Sequence, residues 1–331
     1  MSSGRILRLN PLGILVVAAI SGCILLYFVH GWFTPKMSMK EVLAASITLA
    51  KRGGQRVKEI RETNRLKEQE KGKTKEGAAE MLTEGDMQSH IQIMYGLAKT
   101  FPGLKVISEE HEKQTADTSK ITRAEIDDPE VALLSDQYVN LKDVAVWIDP
   151  LDATQEYTED LTQYVTVMVC VVVGGQPVMG VIHKPFLQET VWAWVGHGHS
   201  KNIRVEDDKE KETTSIIVSR SHAGDVEAAA KETIGQNIKV IPAGGAGYKT
   251  VEVIKGNADA YVHKTLIKKW DICAGNAIIK ELGGRMTDLF GHDIDYSPEK
   301  NVKNEGGLLA TTRDHDGYLK KLESMAKSLK Q

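Results

Sequence analysis

Two aspartates stand three residues apart, directly after an apolar segment that is typical of a β-strand. Asp149 and Asp152 follow residues 144–148, and Pro150 favours a turn between them. Such a turn can direct both carboxylates and the carbonyl oxygen of Leu151 into one pocket. Three oxygen ligands within four residues suit Mg²⁺ better than Zn²⁺. The motif therefore predicts a magnesium site at the end of this strand.

Two further acidic residues stand at the ends of other predicted elements. Glu109 follows a short strand over residues 104–108, and Asp271 opens a helix directly after Trp270. Taken singly, an aspartate in such a place is more typical of a strand-end turn or a helix N-cap. Four converging carboxylates would repel one another strongly, and bound cations would relieve that repulsion. The combination of spacing and context therefore favours a metal site.

Three segments carry a resemblance to a known family. Glu109-Glu110, the WIDPLDAT segment at 147–154 and the WDICAG segment at 270–275 resemble the signatures of the Mg²⁺-dependent, lithium-sensitive inositol monophosphatase-like phosphatases. The resemblance extends from about residue 39 to the C-terminus. It implies an α/β fold of five layers (αβαβα) and two or three Mg²⁺ ions in each site. The metal ligands that it implies are Glu109, Asp149, the Leu151 carbonyl, Asp152 and Asp271, the last of which would also contact the substrate.

The same resemblance implies a catalytic pair. In this family an aspartate in a TxxD turn acts with the threonine after the second metal aspartate to activate water. Here the turn is Thr83-Glu84-Gly85-Asp86, so Asp86 and Thr154 would form the pair. A rival aspartyl-phosphate mechanism needs a second aspartate two residues after the nucleophile, whereas the spacing here is three. The sequence contains no GxxxxGK[ST] motif, which argues against a P-loop.

Three polar segments bear on the substrate: residues 219–222 (SRSH), 244–249 (GGAGYK) and Lys268-Lys269. Taken singly, the first is more typical of a polar turn, the second of a glycine turn that opens a helix, and the third of a solvated basic pair. Together they resemble the nucleotide-binding residues of the 3′-phosphoadenosine 5′-phosphate (PAP) phosphatases. The resemblance implies that the AMP part is contacted by Ser219, His222, Gly245 and Lys249, with Lys249 at the 5′-phosphate.

Two positions disfavour an inositol substrate. Ala246 stands where inositol monophosphatases carry a serine, and His263-Lys264 lie in the region where they use an acidic residue. A broader phosphatase for inositol phosphates or other small bisphosphates stays an alternative, as does a non-catalytic metal-binding scaffold. A zinc enzyme is disfavoured, since His197-Gly198-His199 is too short a cluster for a zinc site.

The N-terminus has the character of a membrane segment. Residues 12–29 carry no charge, and their number is close to the roughly 20 that cross a bilayer as a helix. The sequence therefore predicts a cytoplasmic segment 1–11, a transmembrane signal anchor 12–33 and a lumenal domain 34–331, with a cleaved signal peptide as the alternative. A tethered, lumen-facing member of the family resembles the Golgi-resident PAP phosphatases. The resemblance implies that it removes PAP left by sulfotransferases and so supports the sulfation of glycosaminoglycans.

The lumenal part alternates apolar strand and helix patterns, which predicts two linked α/β halves at about 39–200 and 214–331. A polar insertion or flap is expected at 111–141. Residues 61–75 are expected to form a solvated helix end or loop. The sequence has three cysteines, and we expect no disulfide between them. Cys170 and Cys273 are predicted to be buried thiols, and Cys23 is predicted to lie in the membrane.

Composition limits the classes of partner. The 331 residues are 41% hydrophobic and 26% charged, which excludes a disordered, collagen-like or multi-span membrane protein. The net charge of −3 provides no general basic field, so nucleic acid is not an expected partner. The expected partner is a small nucleotide, PAP, held by metals and local donors. Related enzymes often dimerise, so the resemblance makes a homodimer possible.

Overall fold

The computed structural model describes residues 10–32, 35–73, 79–111, 117–203, 213–220, 223–233, 235 and 237–329. The helices in these ranges are α1 (Pro11–Trp32), α2 (Met39–Glu62), α3 (Glu84–Thr100), α4 (Thr154–Thr158), α5 (Ala223–Thr233), α6 (Ala246–Ile254), α7 (Lys269–Glu281), α8 (His315–Lys321) and α9 (Glu323–Ser328). The first six strands in these ranges are β1 (Lys36–Ser38), β2 (Gln69–Lys73), β3 (Ala79–Leu82), β4 (Lys105–Ser108), β5 (Tyr138–Asn140) and β6 (Val144–Asp152). The later strands are β7 (Thr166–Val173), β8 (Gln176–Lys184), β9 (Glu189–Trp194), β10 (Gly198–His199), β11 (Thr214–Ser219), β12 (Ile238–Ala243), β13 (Ala260–His263), β14 (Ile267–Lys268), β15 (Arg285–Thr287), β16 (Lys303–Asn304) and β17 (Leu308–Thr311).

The first large sheet has six strands in the order β10-β9-β8-β7-β6-β4. Its strands pair antiparallel, except that β4 runs parallel to β6 at one edge. Apolar residues are nearly continuous along β7, and seven of its eight residues are buried. The turn between β7 and β8 lies at Gly174 and Gly175, which have φ angles of +57° and +78°. Glycine adopts such angles without the steric cost that a Cβ brings.

The second large sheet has five strands in the order β12-β11-β13-β17-β15. β11 runs parallel to both β12 and β13, whereas β17 pairs antiparallel with β13 and β15. In the described part of the chain, the first sheet lies within residues 105–199 and the second within residues 214–311. From β11 to α6 the described elements alternate strand, helix, strand and helix, as the apolar pattern predicted.

Three hydrophobic cores separate the layers of this fold. The first core lies between α2, α3 and one face of the six-stranded sheet. The second fills the space between the two sheets, where α6 and α7 lie, and the third joins the five-stranded sheet to α5, α8 and α9. The order of layers is thus helices, sheet, helices, sheet and helices. This arrangement confirms the five-layered αβαβα prediction.

The irregular residues 117–137 are fastened to the start of α2. Ser38 caps α2 by accepting a hydrogen bond from the Glu41 amide at 3.1 Å. The hydroxyl of Ser38 donates to Asp136 at 2.7 Å, and the ammonium of Lys40 donates to the carbonyl of Ala132 at 2.7 Å. The polar segment predicted as an insertion or flap is therefore an insertion packed beside α2.

Cys170 and Cys273 form a disulfide, so the prediction of two buried thiols was wrong. Cys170 lies on β7 and Cys273 on α7, and their Cα atoms are 5.6 Å apart across the interface between sheet and helix. The cysteines are 103 residues apart in the chain. Such a pairing depends on how the helix docks on the sheet, which cysteine spacing alone does not reveal.

The predicted membrane anchor finds no support in the fold. Within the described residues, no helix combines the length and apolar character that a membrane span requires. The transmembrane helix predicted for residues 12–33, and the topology based on it, are therefore not confirmed. Residues 1–9, 33 and 34 and the side chain of Cys23 lie outside the described part of the chain.

Candidate active site

The strand β6 supplies the central carboxylates. It continues through Asp149 and Asp152, where the sequence predicted a turn. Its pairing with β7 is irregular between these two residues: Asp149 lies opposite Met168, and Asp152 lies opposite Thr166. A bulge of this kind changes the direction of side chains along a strand. The predicted turn was therefore wrong for the local backbone. Both aspartates nevertheless lie together at the end of the strand, as predicted.

Three predicted ligands converge from three elements. Glu109 follows β4, Asp149 lies on β6, and Asp271 lies in the first turn of α7. One carboxylate oxygen from each lies within 4.8 Å of the other two. The Glu109 amide donates to the Ile148 carbonyl at 3.1 Å, and the Lys268 amide donates to Asp271 Oδ2 at 3.1 Å. These backbone bonds fix the two residues that flank β6.

The other two predicted ligands, Asp152 and the Leu151 carbonyl, lie beside this group. The carboxylate of Asp152 accepts hydrogen bonds from the amides of Ala246 (3.1 Å) and Gly247 (2.8 Å) and from the Thr166 hydroxyl (3.0 Å). Asp152 thus joins the first sheet to the N-terminus of α6. The Leu151 carbonyl oxygen lies 3.1 Å from the Thr154 hydroxyl.

The electrostatics of the group suit a bound cation. Burial raises the pKa of Asp149, and the negative charges of Glu109, Asp152 and Asp271 raise it further. Burial and the charges of Glu109 and Asp152 likewise raise the pKa of Asp271. A divalent cation would relieve this repulsion, and carboxylate oxygens are the donors that Mg²⁺ prefers. The residues present therefore fit such an ion.

The predicted catalytic pair is in contact. The Thr154 hydroxyl lies 3.0 Å from Asp86 Oδ1, so it can donate to this oxygen. Asp86 Oδ2 accepts from the amide and hydroxyl of Thr83, at 2.7 and 2.6 Å, in the capping box that begins α3. Burial raises the pKa of Asp86 to about 7, although its hydrogen bonding with Thr83 lowers it. The TxxD turn thus places a buried carboxyl beside Thr154.

Two lysines contact the acidic residues of the site, and the sequence analysis missed one of them, Lys71. Lys71 forms ion pairs with Glu109, at 3.2 Å, and with Glu110. Lys268 lies 3.7 Å from Glu109 and 3.0 Å from Glu80 of β3. Burial lowers the pKa of Lys71, but the charges of Glu109 and Glu110 outweigh burial and raise it.

The stretch 61–75 was expected to be a solvated helix end or loop, and this expectation was wrong for residues 69–73. Residues 69–73 form β2, which pairs with β3 and brings Lys71 to the carboxylates. A run of charges gives no sign of such a hairpin, so no signal in this stretch could have identified the lysine.

A cleft of about 420 Å³ opens beside the carboxylates. Its lining includes Asp152, Ser219, Gly245, Lys249 and Asp271, so the structure brings four predicted substrate residues together with a predicted metal ligand. The fifth predicted substrate residue, His222, lies outside the described residues.

Lys249 lies in the wall of this cleft, with only 4% of its surface exposed. Its ammonium lies 5.2 Å from the centre of the Tyr261 ring. Burial lowers the pKa of Lys249 to about 8, and the charges of Asp152, Glu156 and Asp271 oppose this change. Lys249 therefore lies between the cleft and the carboxylates, and their negative charges offset part of the cost of burying its ammonium group.

Arg220 also lines the cleft, and the sequence analysis gave it no separate role. Its guanidinium donates to Glu156 at 3.1 Å and to Glu159 at 3.0 Å. Arg220 follows β11 in the second half, whereas Glu156 belongs to α4 in the first half. The three side chains therefore join the two halves at the mouth of the cleft.

Comparison with known proteins agrees with this geometry. Residues 38–327 match the model of the inositol monophosphatase family. The chain therefore belongs to the inositol monophosphatase family, and it is a phosphatase. Enzymes of this family use divalent metal ions.

Relatives with two different names are similar over nearly the whole chain. Inositol monophosphatase 3 of Danio rerio is 45% identical over 332 residues, which cover 96% of each chain. The Golgi-resident adenosine 3′,5′-bisphosphate 3′-phosphatase of Homo sapiens is 41% identical over 357 residues, which cover 97% of this chain and 98% of the relative.

Solved structures share the fold at lower identity. The IMPase of Thermotoga maritima has a TM-score of 0.63 and 22% identity, with 86% of this chain and 97% of that chain covered. The 2′AMP-bound SaIMPase-II has a TM-score of 0.61 and 20% identity, with 86% and 94% covered. At these identities the likeness concerns the fold.

Proposed function

We propose that this phosphatase removes the 3′-phosphate of PAP with Mg²⁺, giving AMP and phosphate. The observation that carries the proposal is the position of Glu109, Asp149 and Asp271 beside a cleft lined by Ser219 and Lys249. Several relatives that match nearly the whole chain are named as Golgi-resident adenosine 3′,5′-bisphosphate 3′-phosphatases. SaIMPase-II, which shares the fold, was solved with 2′AMP bound, and this is consistent with a nucleotide phosphate as substrate.

The proposed chemistry uses water without a phosphoenzyme. Glu109, Asp149, Asp152, Asp271 and the Leu151 carbonyl would hold the ions. Bound Mg²⁺ lowers the pKa of a coordinated water and neutralises charge on the phosphate. The chain's own part is to orient that water and take its proton.

Thr154 and Asp86 are the residues proposed for that step. When the Thr154 hydroxyl donates to Asp86 Oδ1, its oxygen can accept a hydrogen bond from water. The proton that leaves the water can then pass to Asp86. The water oxygen bonds to phosphorus in line with the P–O bond to the 3′-oxygen, which breaks, and the leaving 3′-oxygen takes up a proton from solvent to become the hydroxyl of AMP.

The contacts proposed for the AMP part are Ser219, His222, Gly245 and Lys249. The cleft next to the carboxylates supports three of them, because Ser219, Gly245 and Lys249 line it. Gly245 has a φ angle of +62°, and a Cβ there would lie 2.7 Å from the Tyr164 carbonyl oxygen. Glycine is therefore required at this position by the close packing against Tyr164, and its backbone lines the cleft.

A substrate panel tests the proposal. Purified full-length chain is assayed for Mg²⁺-dependent phosphate release from PAP, 2′-AMP and inositol 1-phosphate. We expect PAP to have the highest kcat/KM. The relative named inositol monophosphatase 3 makes the broader phosphatase the second candidate. Faster turnover of inositol 1-phosphate would favour that candidate and refute the PAP assignment.

We further propose that the enzyme acts in the Golgi lumen, where it would support the sulfation of glycosaminoglycans. Several relatives are named as Golgi-resident, which supports this location. The Cys170–Cys273 disulfide supports a lumenal position, because disulfides persist in oxidising compartments. Protease treatment of intact vesicles tests the location: we expect the domain to be protected until detergent is added. Digestion without detergent would refute it.

The single-pass type II anchor over residues 12–33 stays a prediction of the sequence. Carbonate extraction of the same vesicles tests it, since an integral protein stays with the membrane. Release of the intact chain into the soluble fraction would refute the anchor without affecting the proposed chemistry.

A further inference from the structure

A buried pair, His90 and Ser108, lies behind the carboxylates and has no part in the proposed chemistry. His90 lies on α3 one helical turn after Asp86, and Ser108 is the last residue of β4, directly before Glu109. His90 Nδ1 and Ser108 Oγ share a hydrogen bond of 2.8 Å. Only 4% of His90 and 3% of Ser108 is exposed. The pair therefore connects the helix of the catalytic aspartate to the strand that ends at Glu109.

The end of β4 needs such support. β4 has four residues and lies at the edge of its sheet, where the described strands give it one neighbour, β6. Glu109 follows the strand and is drawn towards Lys71 and Lys268, while the charges of Asp149 and Asp271 repel it. The bond from α3 acts on the residue just before Glu109, so it opposes displacement of the strand end.

We propose that His90 and Ser108 are positioning residues that hold Glu109 near Asp149 and Asp271 for Mg²⁺ binding. This inference rests on the metal site of the proposed function. Without the hydrogen bond, the end of β4 can adopt more conformations. Metal binding must then restrict them, and this entropy cost weakens binding. Outer groups that orient metal ligands typically change metal affinity by about 10- to 100-fold when they are removed.

Calorimetric titration of the full-length chain with MgCl₂ alone tests this role. The variants are Ser108→Ala, His90→Leu and the double variant. We expect each single substitution to weaken Mg²⁺ binding by about 10-fold. The double variant is expected to lose little more than a single variant, since both substitutions remove the same bond. Loss of kcat at fixed Mg²⁺ should be recovered in part at higher Mg²⁺.

Ser89→Ala is the matched control. Ser89 is fully buried on the same helix, next to His90, and its hydroxyl has no hydrogen-bond partner among the described residues. We expect wild-type Mg²⁺ affinity for this variant. Denaturation midpoints of all variants separate a loss of stability from a loss of metal binding, and Ser108→Ala alone carries the test if His90→Leu does not fold.

Two results would overturn the positioning role. One is wild-type Mg²⁺ affinity in Ser108→Ala, and the other is an additive loss in the double variant, which would show that the residues act independently. A wild-type chain that binds no Mg²⁺ would refute the metal site itself. That outcome is distinct from a positioning failure, in which the wild type and Ser108→Ala bind Mg²⁺ equally well.

Discussion

Asp86 illustrates how burial gives a common side chain an uncommon property. Its carboxyl is enclosed at the start of α3, where Thr83 and Thr154 bind its two oxygens. Burial raises its pKa to about 7, so the charged form costs more here than in water. A group in this state is suited to accept a proton from a water beside Thr154.

Asp86→Asn is therefore expected to lower kcat by at least about 100-fold, since removing a general base costs about this much. Mg²⁺ affinity is expected to change little, because Asp86 is not among the converging ligands. Steady-state phosphate release and calorimetry with MgCl₂ provide the two readouts. Asp160→Asn is the control, since Asp160 is exposed and pairs with Arg61 away from the site. Retention of more than a tenth of wild-type kcat would contradict the assigned role.

His315 makes a contribution to the free energy of unfolding that depends on pH. It is buried between Thr287 and Thr311, with which it forms hydrogen bonds of 2.9 and 3.0 Å. Burial, together with the nearby charge of Arg285, lowers its pKa to about 4. The folded state therefore keeps His315 neutral where the unfolded chain takes up a proton. Its contribution is present above about pH 6.5 and is lost as the pH falls towards 4.

We expect this histidine to reduce the free energy of unfolding by about 2 kcal/mol between pH 7.5 and pH 5. Chemical denaturation at both pH values measures the change. In His315→Asn the difference between the two pH values is expected to be smaller by this amount. Equal pH dependence in the wild type and His315→Asn would refute the account.

At the scale of elements, the docking of α7 on the first sheet decides where Asp271 lies. α7 contacts β7 and β8 on the face between the two sheets. A Cβ at Gly180 of β8 would lie 2.0 Å from the backbone oxygen of Ala274, so only glycine permits this approach. The disulfide between Cys170 and Cys273 fixes the same contact covalently.

Gly180→Ala is expected to push α7 away from the sheet. We expect a loss of about 1–3 kcal/mol of stability, as is typical for overpacking, and weaker Mg²⁺ binding because Asp271 moves with the helix. Thermal unfolding and MgCl₂ titration measure the two effects. Gly22→Ala serves as the control, since a Cβ there meets no atom within 4 Å. Unchanged Mg²⁺ affinity would show that the position of Asp271 does not depend on this contact.

At the scale of the whole molecule, the site lies where two α/β halves meet. Glu109 and Asp149 come from the first half, whereas Asp271 and the N-terminus of α6 come from the second. Asp152 accepts amide bonds from α6 across this boundary, and Arg220 pairs with Glu156 across it. Stability and metal binding are therefore expected to depend on each other through the packing of the halves.

The disulfide is the covalent element of this packing. The variant with Cys170→Ser and Cys273→Ser is expected to lose about 2–4 kcal/mol of unfolding free energy relative to the oxidised wild type. Guanidinium denaturation with and without a reductant measures this loss. The reductant is expected to lower the midpoint of the wild type and to leave that of the variant unchanged. An equal response of both proteins would contradict a stabilising disulfide.

The sequence by itself determined the carboxylate motif, the TxxD turn and the alternation of strand and helix. These are local features, because residue type, hydrophobic period and short spacings fix them within a few residues. They sufficed to predict that Glu109, Asp149 and Asp271 would meet, whereas the pairing of Thr154 with Asp86 was implied by the family resemblance.

Only the tertiary structure decided which distant groups complete the site. The Lys71 ion pairs depend on how the β2–β3 hairpin lies over Glu109, and the Cys170–Cys273 bond depends on how α7 docks. The contact between His90 and Ser108 depends on the packing of α3 beside β4. Such contacts follow from the close packing of whole elements, and hydrophobic pattern and sequence spacing do not specify which side chains then touch.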